Sequence, residues 1–333
     1  MSGSQVSGVR MRKRLERTAG TLALRAFVTP LRALSWRRAR AAGRGVGELI
    51  FRLPTRFRRV ALKNLKLVYG AQISDGERQR MARDVFRNFG ETFAEFIKLP
   101  KLDREAVDRL ASVEGEEHLR EALKRGKGVL MVSGHFGNWE FLGRWLAVHG
   151  YPLNVVAHEA RNPEVTRLMK NTREGTGAQV LFRGSSARAV LKALKQNQIV
   201  ALLPDQNAAD VFVPFLGVRT GTVDGPAIVH LKTQAPIVFA WCSRSEHARS
   251  SRLGLGFDIR FEPAVSVEST GDRGADIAQV MTLVNASLES QVRRRPTQWL
   301  WLHDRWKATP EVFSANGAGR AEAVAAGSGK APD

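Results

Sequence analysis

The chain has 333 residues, 43% of them hydrophobic, enough to bury a large core in one α/β domain or two smaller ones. Its formal charge is +20, and its one cysteine, Cys242, excludes an internal disulfide framework and a multi-cysteine zinc site. Seventeen Lys and Arg stand in residues 1–66 against only Glu16 and Glu48, so most of the excess lies in the first fifth of the chain.

Residues 1–17 are polar and basic and are expected to be disordered. Residues 18–70 read as amphipathic helices for a membrane surface, because their basic residues alternate with Leu22, Leu24, Phe27, Leu31, Leu34, Trp36, Ile50, Phe51 and Leu53. Nucleic acid is the rival partner for so basic a protein, but the apolar residues are too numerous for a phosphate-binding arm. Thr18 to Trp36 is interrupted by Arg25, Pro30 and Arg32, whereas a spanning helix needs about 20 mostly apolar residues. It also lacks the apolar region and cleavage site of a signal peptide. The expectation is a protein on the cytoplasmic face of a membrane, peripheral or shallowly anchored, with its first helical stretch broken at Pro30. Arg56 to Tyr69 continues the basic amphipathic pattern, and Ser74-Asp75-Gly76-Glu77 has the spacing of a capping box. The helix it opens carries a stripe of Met81, Val85, Phe89, Phe93, Phe96 and Ile97, expected to be core, and closes at Pro100.

Residues 71–312 form an α/β domain, in which the pattern alternates from Val113 onward. Strands are predicted at Val129–Val132, Leu153–Ala157, Gln179–Phe182, Ile199–Leu203, Pro236–Cys242 and Leu255–Phe261. Helices are predicted at Glu116–Arg125, Asn138–His149, Pro163–Glu174, Ser186–Gln196, Asp224–Thr233 and Asp276–Arg294. Such alternation implies a largely parallel central sheet flanked by helices. Residues 313–333, rich in Ala and Gly, are expected to be disordered.

In this class of fold, ligands collect outside the carboxyl ends of the strands. Four polar stretches fall there. One holds His135 and Glu140, and the others hold Arg161 with Asn162, Arg183, and Asp205 with Gln206. Helical neighbours are three or four residues apart, so His135 and Glu140 can meet only if His135 lies in a turn and Glu140 in the first turn of the helix. Gly134 and Gly137 provide such a turn. A carboxylate beside His135 would fix its tautomer and steady its imidazolium, making it a general base near neutrality. Gly-x-Ser-x-Gly and His-Glu-x-x-His are both absent, which argues against a serine nucleophile and against zinc. The base would therefore deprotonate a hydroxyl of a bound substrate, which attacks an activated acyl group directly. N–H groups near Gly134 and Gly137, or an arginine, would hold the oxyanion.

His135-Phe136-Gly137-Asn138-Trp139-Glu140 resembles the His-x4-Asp/Glu motif of the lysophospholipid acyltransferase superfamily, in the glutamate form of the late lauroyl and myristoyl acyltransferases of lipid A biosynthesis. Arg161-Asn162-Pro163 resembles that family's second block, and Leu203-Pro204-Asp205-Gln206 with Val213-Pro214-Phe215-Leu216-Gly217 its third. Thr222 to Pro226, Thr233 to Pro236, and Gln298 to Lys307 resemble later segments in the same order. The resemblance spans about Val46 to Lys307. It implies a glycerolipid acyltransferase-like fold and an acyl carrier protein or acyl-CoA thioester as donor, with no resident cofactor. A lipid A precursor would be the acceptor, with His135 as base, Glu140 as its partner, and the second block on a phosphate or headgroup. The aromatics of the closing segment would pack the base of the active-site sheet. The sequence departs at Leu216, where relatives usually show a second phenylalanine. Acyltransferases acting on phosphatidylinositol mannosides share the core motif, usually with aspartate. A phosphatidylinositol mannoside or a lysophospholipid is therefore the alternative acceptor.

Overall fold

The computed structural model describes residues 28–160, 162–182, 186–245 and 256–309, with residues 18, 21, 24 and 26 ahead of them. The expected tails at 1–17 and 313–333, together with Arg161 and Arg183, lie outside the described residues.

The core is a seven-stranded sheet in the order β1-β9-β8-β2-β5-β3-β4. Its strands are β1 (Ala111–Glu114), β2 (Val129–Val132), β3 (Leu153–Ala157), β4 (Gln179–Phe182), β5 (Ile199–Leu202), β8 (Ile237–Arg244) and β9 (Phe257–Phe261). All neighbours pair in parallel except β8 with β9. The largely parallel sheet read from the sequence is present, with an antiparallel turn-back at one side. β2 is central and buried along its whole length, as a strand covered on both faces must be.

Beyond a helical stretch at residues 28–33, ten α-helices surround the sheet among the described residues: α1 (Trp36–Arg52), α2 (Arg56–Tyr69), α3 (Asp75–Lys98), α4 (Arg104–Leu110), α5 (Glu116–Lys124), α6 (Trp139–Val148), α7 (Pro163–Gly175), α8 (Ser186–Lys195), α9 (Gly225–Thr233) and α10 (Arg273–Arg294). The capping box that opens α3 forms as its spacing implies: the Ser74 hydroxyl accepts from Glu77 N–H, and the Glu77 carboxylate accepts from Ser74 N–H. The break expected at Pro30 falls later. Residues 28–33 are helical, Leu34 N–H donates to the Pro30 carbonyl, and the helix stops where Ser35 caps α1. A capping hydroxyl, rather than the proline, sets that boundary.

The sequence also concealed a hairpin, β6 (Asn207–Phe215) and β7 (Val218–Thr222), whose two-residue turn is Leu216-Gly217. Both turn residues have positive φ, as a type I′ turn requires, but leucine is a poor signal for it. Leu216 is held there by its N–H, which donates to the Glu289 carboxylate at 2.6 Å.

The N-terminal helices are part of the packed body. Helix α1 lies against α3 at backbone contact: a Cβ on Gly90 would meet the Gly43 carbonyl at 2.1 Å, and one on Gly47 the Phe86 carbonyl at 2.1 Å. Along α3, Val85, Phe96 and Ile97 are buried as the stripe implies, but Phe89 is 37% exposed. It lines an apolar groove with Phe93, because the close α1–α3 approach covers only one side of the stripe. No helix among the described residues is long and apolar enough to cross a membrane. Gly90→Ala should destabilise the protein by about 1–3 kcal/mol through overpacking. Gly45→Ala, which meets nothing within 4 Å, should stabilise it by about 0.5–1 kcal/mol through helix propensity. Urea midpoints of the two variants test the contact, and equal midpoints would refute it.

Candidate active site

β2 and β5 are adjacent, with Val132 in register with Leu202. His135 and Asp205 each lie three residues beyond that pair, so two loops leave the sheet side by side and bring them together. The Asp205 carboxylate, 3% exposed, takes His135 Nδ1 at 2.7 Å and accepts the His135 backbone N–H at 2.7 Å. It also accepts Trp299 Nε1 at 3.0 Å. With Nδ1–H donating to Asp205, Nε2 is the free ring nitrogen. Trp139 packs edge-on to the imidazole, with ring centroids 5.0 Å apart.

The direct His135–Glu140 contact expected from the spacing is not the one formed. The Glu140 carboxylate accepts Arg173 Nη2 at 2.6 Å and Nε at 3.1 Å, and Trp139 Nε1 at 2.9 Å. Bidentate arginine and an indole donor saturate it, while Asp205, one strand away, holds His135 instead. Both His135 and Glu140 still line a common cavity of about 330 Å³, with Arg173, Leu142, Val155 and Phe182. Burial works against the imidazolium. The Asp205 carboxylate outweighs it through charge and hydrogen bond, and Glu140 adds to the field against Arg173, so the His135 pKa lies above its ordinary value. Burial likewise pushes the Asp205 carboxyl up, but the charge and donors of His135 and the Trp299 indole hold it well below the usual carboxylate range.

The turn itself explains its glycines. Gly137 has φ +58°, and a Cβ there would meet the Cys242 carbonyl at 2.0 Å. Its N–H donates to the Gln298 carbonyl at 2.8 Å, so it is not the oxyanion donor expected from the sequence. Gly134 admits Asp205 close to the chain, since a Cβ there would stand 3.3 Å from Asp205 Oδ2. Asn138 caps α6, accepting from Phe141 N–H at 2.9 Å, and donates to buried Glu95 at 2.7 Å. Glu95 is held in turn by Arg244, through Nη1 at 2.6 Å and Nη2 at 2.8 Å. Among the remaining expected site residues, Asn162 caps α7 by accepting from Glu164 N–H at 3.0 Å and donates to the Thr21 hydroxyl at 3.3 Å. Gln206 lines the cavity beside His135.

Arg173, Trp299, Asn138 and Glu95 were missed as members of the site. Of these, Asn138 and Trp299 lay in segments that the sequence singled out, and Trp299 bonds Asp205 beyond the carboxyl end of β5. Asp205 was found, but as a substrate ligand. In an NMR titration, His135 should titrate above about 6.5, its unperturbed value, in the native protein. In Asp205→Asn, burial is left without the compensating charge, and the pKa should fall below that value. An unchanged titration would break the assigned pairing.

The profile of the bacterial lipid A biosynthesis acyltransferase family matches residues 8–308. The chain is 24% identical over 255 residues to the lipid A biosynthesis palmitoleoyltransferase of Escherichia coli strain K12, covering 75% of this chain and 79% of that protein. It is 25% identical over 273 residues to the lipid A biosynthesis lauroyltransferase of the same strain, covering 81% and 85%. It is also 24% identical over 305 residues to the phosphatidylinositol mannoside acyltransferase of Mycolicibacterium smegmatis, covering 87% and 95%. A profile match across nine-tenths of the residues, containing the His135 turn, the Asp205 loop and the Trp299 segment, places this chain in the bacterial lipid A biosynthesis acyltransferase family.

Proposed function

We propose that this protein transfers a fatty acyl group from an acyl carrier protein thioester to a hydroxyl of a lipid A precursor, with His135 as general base. The observation that carries the reading is the His135–Asp205 pair at 2.7 Å, which commits Nδ1 and leaves Nε2 to take a proton in a cavity shared with Glu140. The hydroxyl oxygen attacks the thioester carbon as its proton passes to Nε2, and collapse expels the sulfur, which takes that proton from His135. Asp205 orients the ring and stabilises the imidazolium without itself being protonated. Glu140, fixed by Arg173, supports the imidazolium through its field rather than by contact, which modifies the His-Glu dyad expected from the motif.

The enzyme would work at the cytoplasmic face of the inner membrane. The end of α1 and the start of α2 expose Leu49, Leu53 and Phe57 at 59%, 49% and 57%. Arg52, Arg56, Arg58 and Arg59 flank them in the sequence, a combination suited to anionic headgroups above an apolar boundary. A phosphatidylinositol mannoside as acceptor is the second reading, favoured by the extent of the match to the mycobacterial relative. Mass spectrometry of lipids from a deletion strain separates the two: a lipid A species lacking one acyl chain supports the first, an altered inositol mannoside the second.

His135→Ala should lower acyl transfer by about 10²–10⁴-fold while leaving vesicle binding intact, and retained activity would sink the mechanism. Replacing Leu49, Leu53 and Phe57 together by Asp should reduce cosedimentation with anionic vesicles even at high salt, where charge alone is screened. Undiminished binding would locate the membrane contact elsewhere.

A further inference from the structure

A second cavity, of about 380 Å³, runs between α1, α3 and the closing segment, and its walls are almost entirely apolar. Val46, Ile50, Phe89, Phe93 and Leu302 line it, and Gln206 and His303 supply its polar groups. Gln206 also lines the His135 cavity, so the two spaces share that residue as a wall. The closing segment that floors the groove is bonded to the catalytic turn, with Leu300 N–H donating to the His135 carbonyl at 3.0 Å.

His303 is fixed in one tautomer. The Asn207 backbone N–H donates to its Nε2 at 2.9 Å, which requires an unprotonated nitrogen there and a proton on Nδ1. Its carbonyl is anchored by the wholly buried Asn64, whose Nδ2 donates at 2.7 Å. Burial keeps the ring neutral by pushing its pKa down. Among the described residues, no group accepts the His303 Nδ1 proton and none bonds the Gln206 amide. Two unengaged donors at the inner end of an apolar groove, next to the base, fit one kind of occupant: a hydrocarbon chain ending in a carbonyl. The volume is within the ~300–1,000 Å³ of small-molecule sites.

We infer that the α1–α3 groove receives the acyl chain of the donor and that His303 Nδ1–H and the Gln206 amide hydrogen-bond its carbonyl oxygen. The pair takes the place of the Gly137 N–H, which Gln298 already occupies. As the hydroxyl adds to the carbonyl carbon, a C–O bond forms and the π electrons move onto the oxygen facing these donors. They return as the C–S bond breaks, and the proton held by His135 leaves with the sulfur. A neutral imidazole donor placed where negative charge develops lowers the barrier more than it tightens binding.

The inference rests on the acyl-transfer reading, so its main test uses an ester that is not consumed. The carbonyl stretch of methyl dodecanoate, labelled with ¹³C at the carbonyl, is recorded bound to the full-length protein. Two bonded donors should lower its frequency relative to the ester in alkane. His303→Phe and Gln206→Met should each raise it, the latter in a side chain with no internal partner to lose. Val46→Trp, which fills the groove, should abolish ester binding. In turnover, His303→Phe should reduce kcat about 10²-fold with KM little changed, and His303→Gln, which can still donate, should recover most of it. A stretch unaffected by both donor variants, or ester still bound in Val46→Trp, overturns the assignment, whereas failure of the general-base reading would show instead as retained activity in His135→Ala.

Discussion

Asp205 accepts three N–H groups, two from His135 and one from Trp299, and so ties together the loop after β5, the turn after β2 and the closing segment. A buried carboxylate without partners costs several kcal/mol, so these donors are required for the fold as much as for chemistry. The constraint is reciprocal. Asp205 stays ionised because His135 faces it, and His135 keeps its tautomer because Asp205 does. Both follow from the parallel register of β2 and β5, which brings residues seventy positions apart to the same height above the sheet.

A second buried charge system supports the first from behind. Glu95 of α3 receives Arg244 from the end of β8, Arg40 from α1 and the Asn138 amide from the cap of α6. Breaking such a buried pair typically costs about 3–5 kcal/mol, because the remaining charge has nowhere to go. The network fixes the first turn of α6, and therefore Glu140, relative to α1 and α3. The N-terminal helices thus serve the site as well as exposing apolar residues to the outside.

Much of this architecture was legible in the sequence because the relevant signals are local. The apolar runs of β2, β3 and β4, the capping box of α3 and the turn glycines around His135 each follow from short-range sterics and hydrogen bonding. The pairing of charges was not legible, since it depends on which strands become neighbours. His135 with Glu140 is close in sequence, whereas His135 with Asp205 and Glu140 with Arg173 are made only by the tertiary fold. The β6–β7 hairpin escaped for a different reason, its Leu216-Gly217 turn lacking the usual asparagine or aspartate. β1, a four-residue edge strand mostly exposed, offers no apolar run to find.

The glycine contact between α1 and α3 has a bearing on what the groove beside it can admit. Helices meeting backbone to backbone have no side chains between them to rearrange, so they cannot slide closer and separate only by losing the contact outright. The spacing of the groove walls is therefore set by main-chain geometry, and its length and bore by side chains such as Val46 and Phe93. In the acyl-chain site proposed here, selectivity for chain length would turn on substitution at single wall positions, open to gradual change without disturbing the His135 turn.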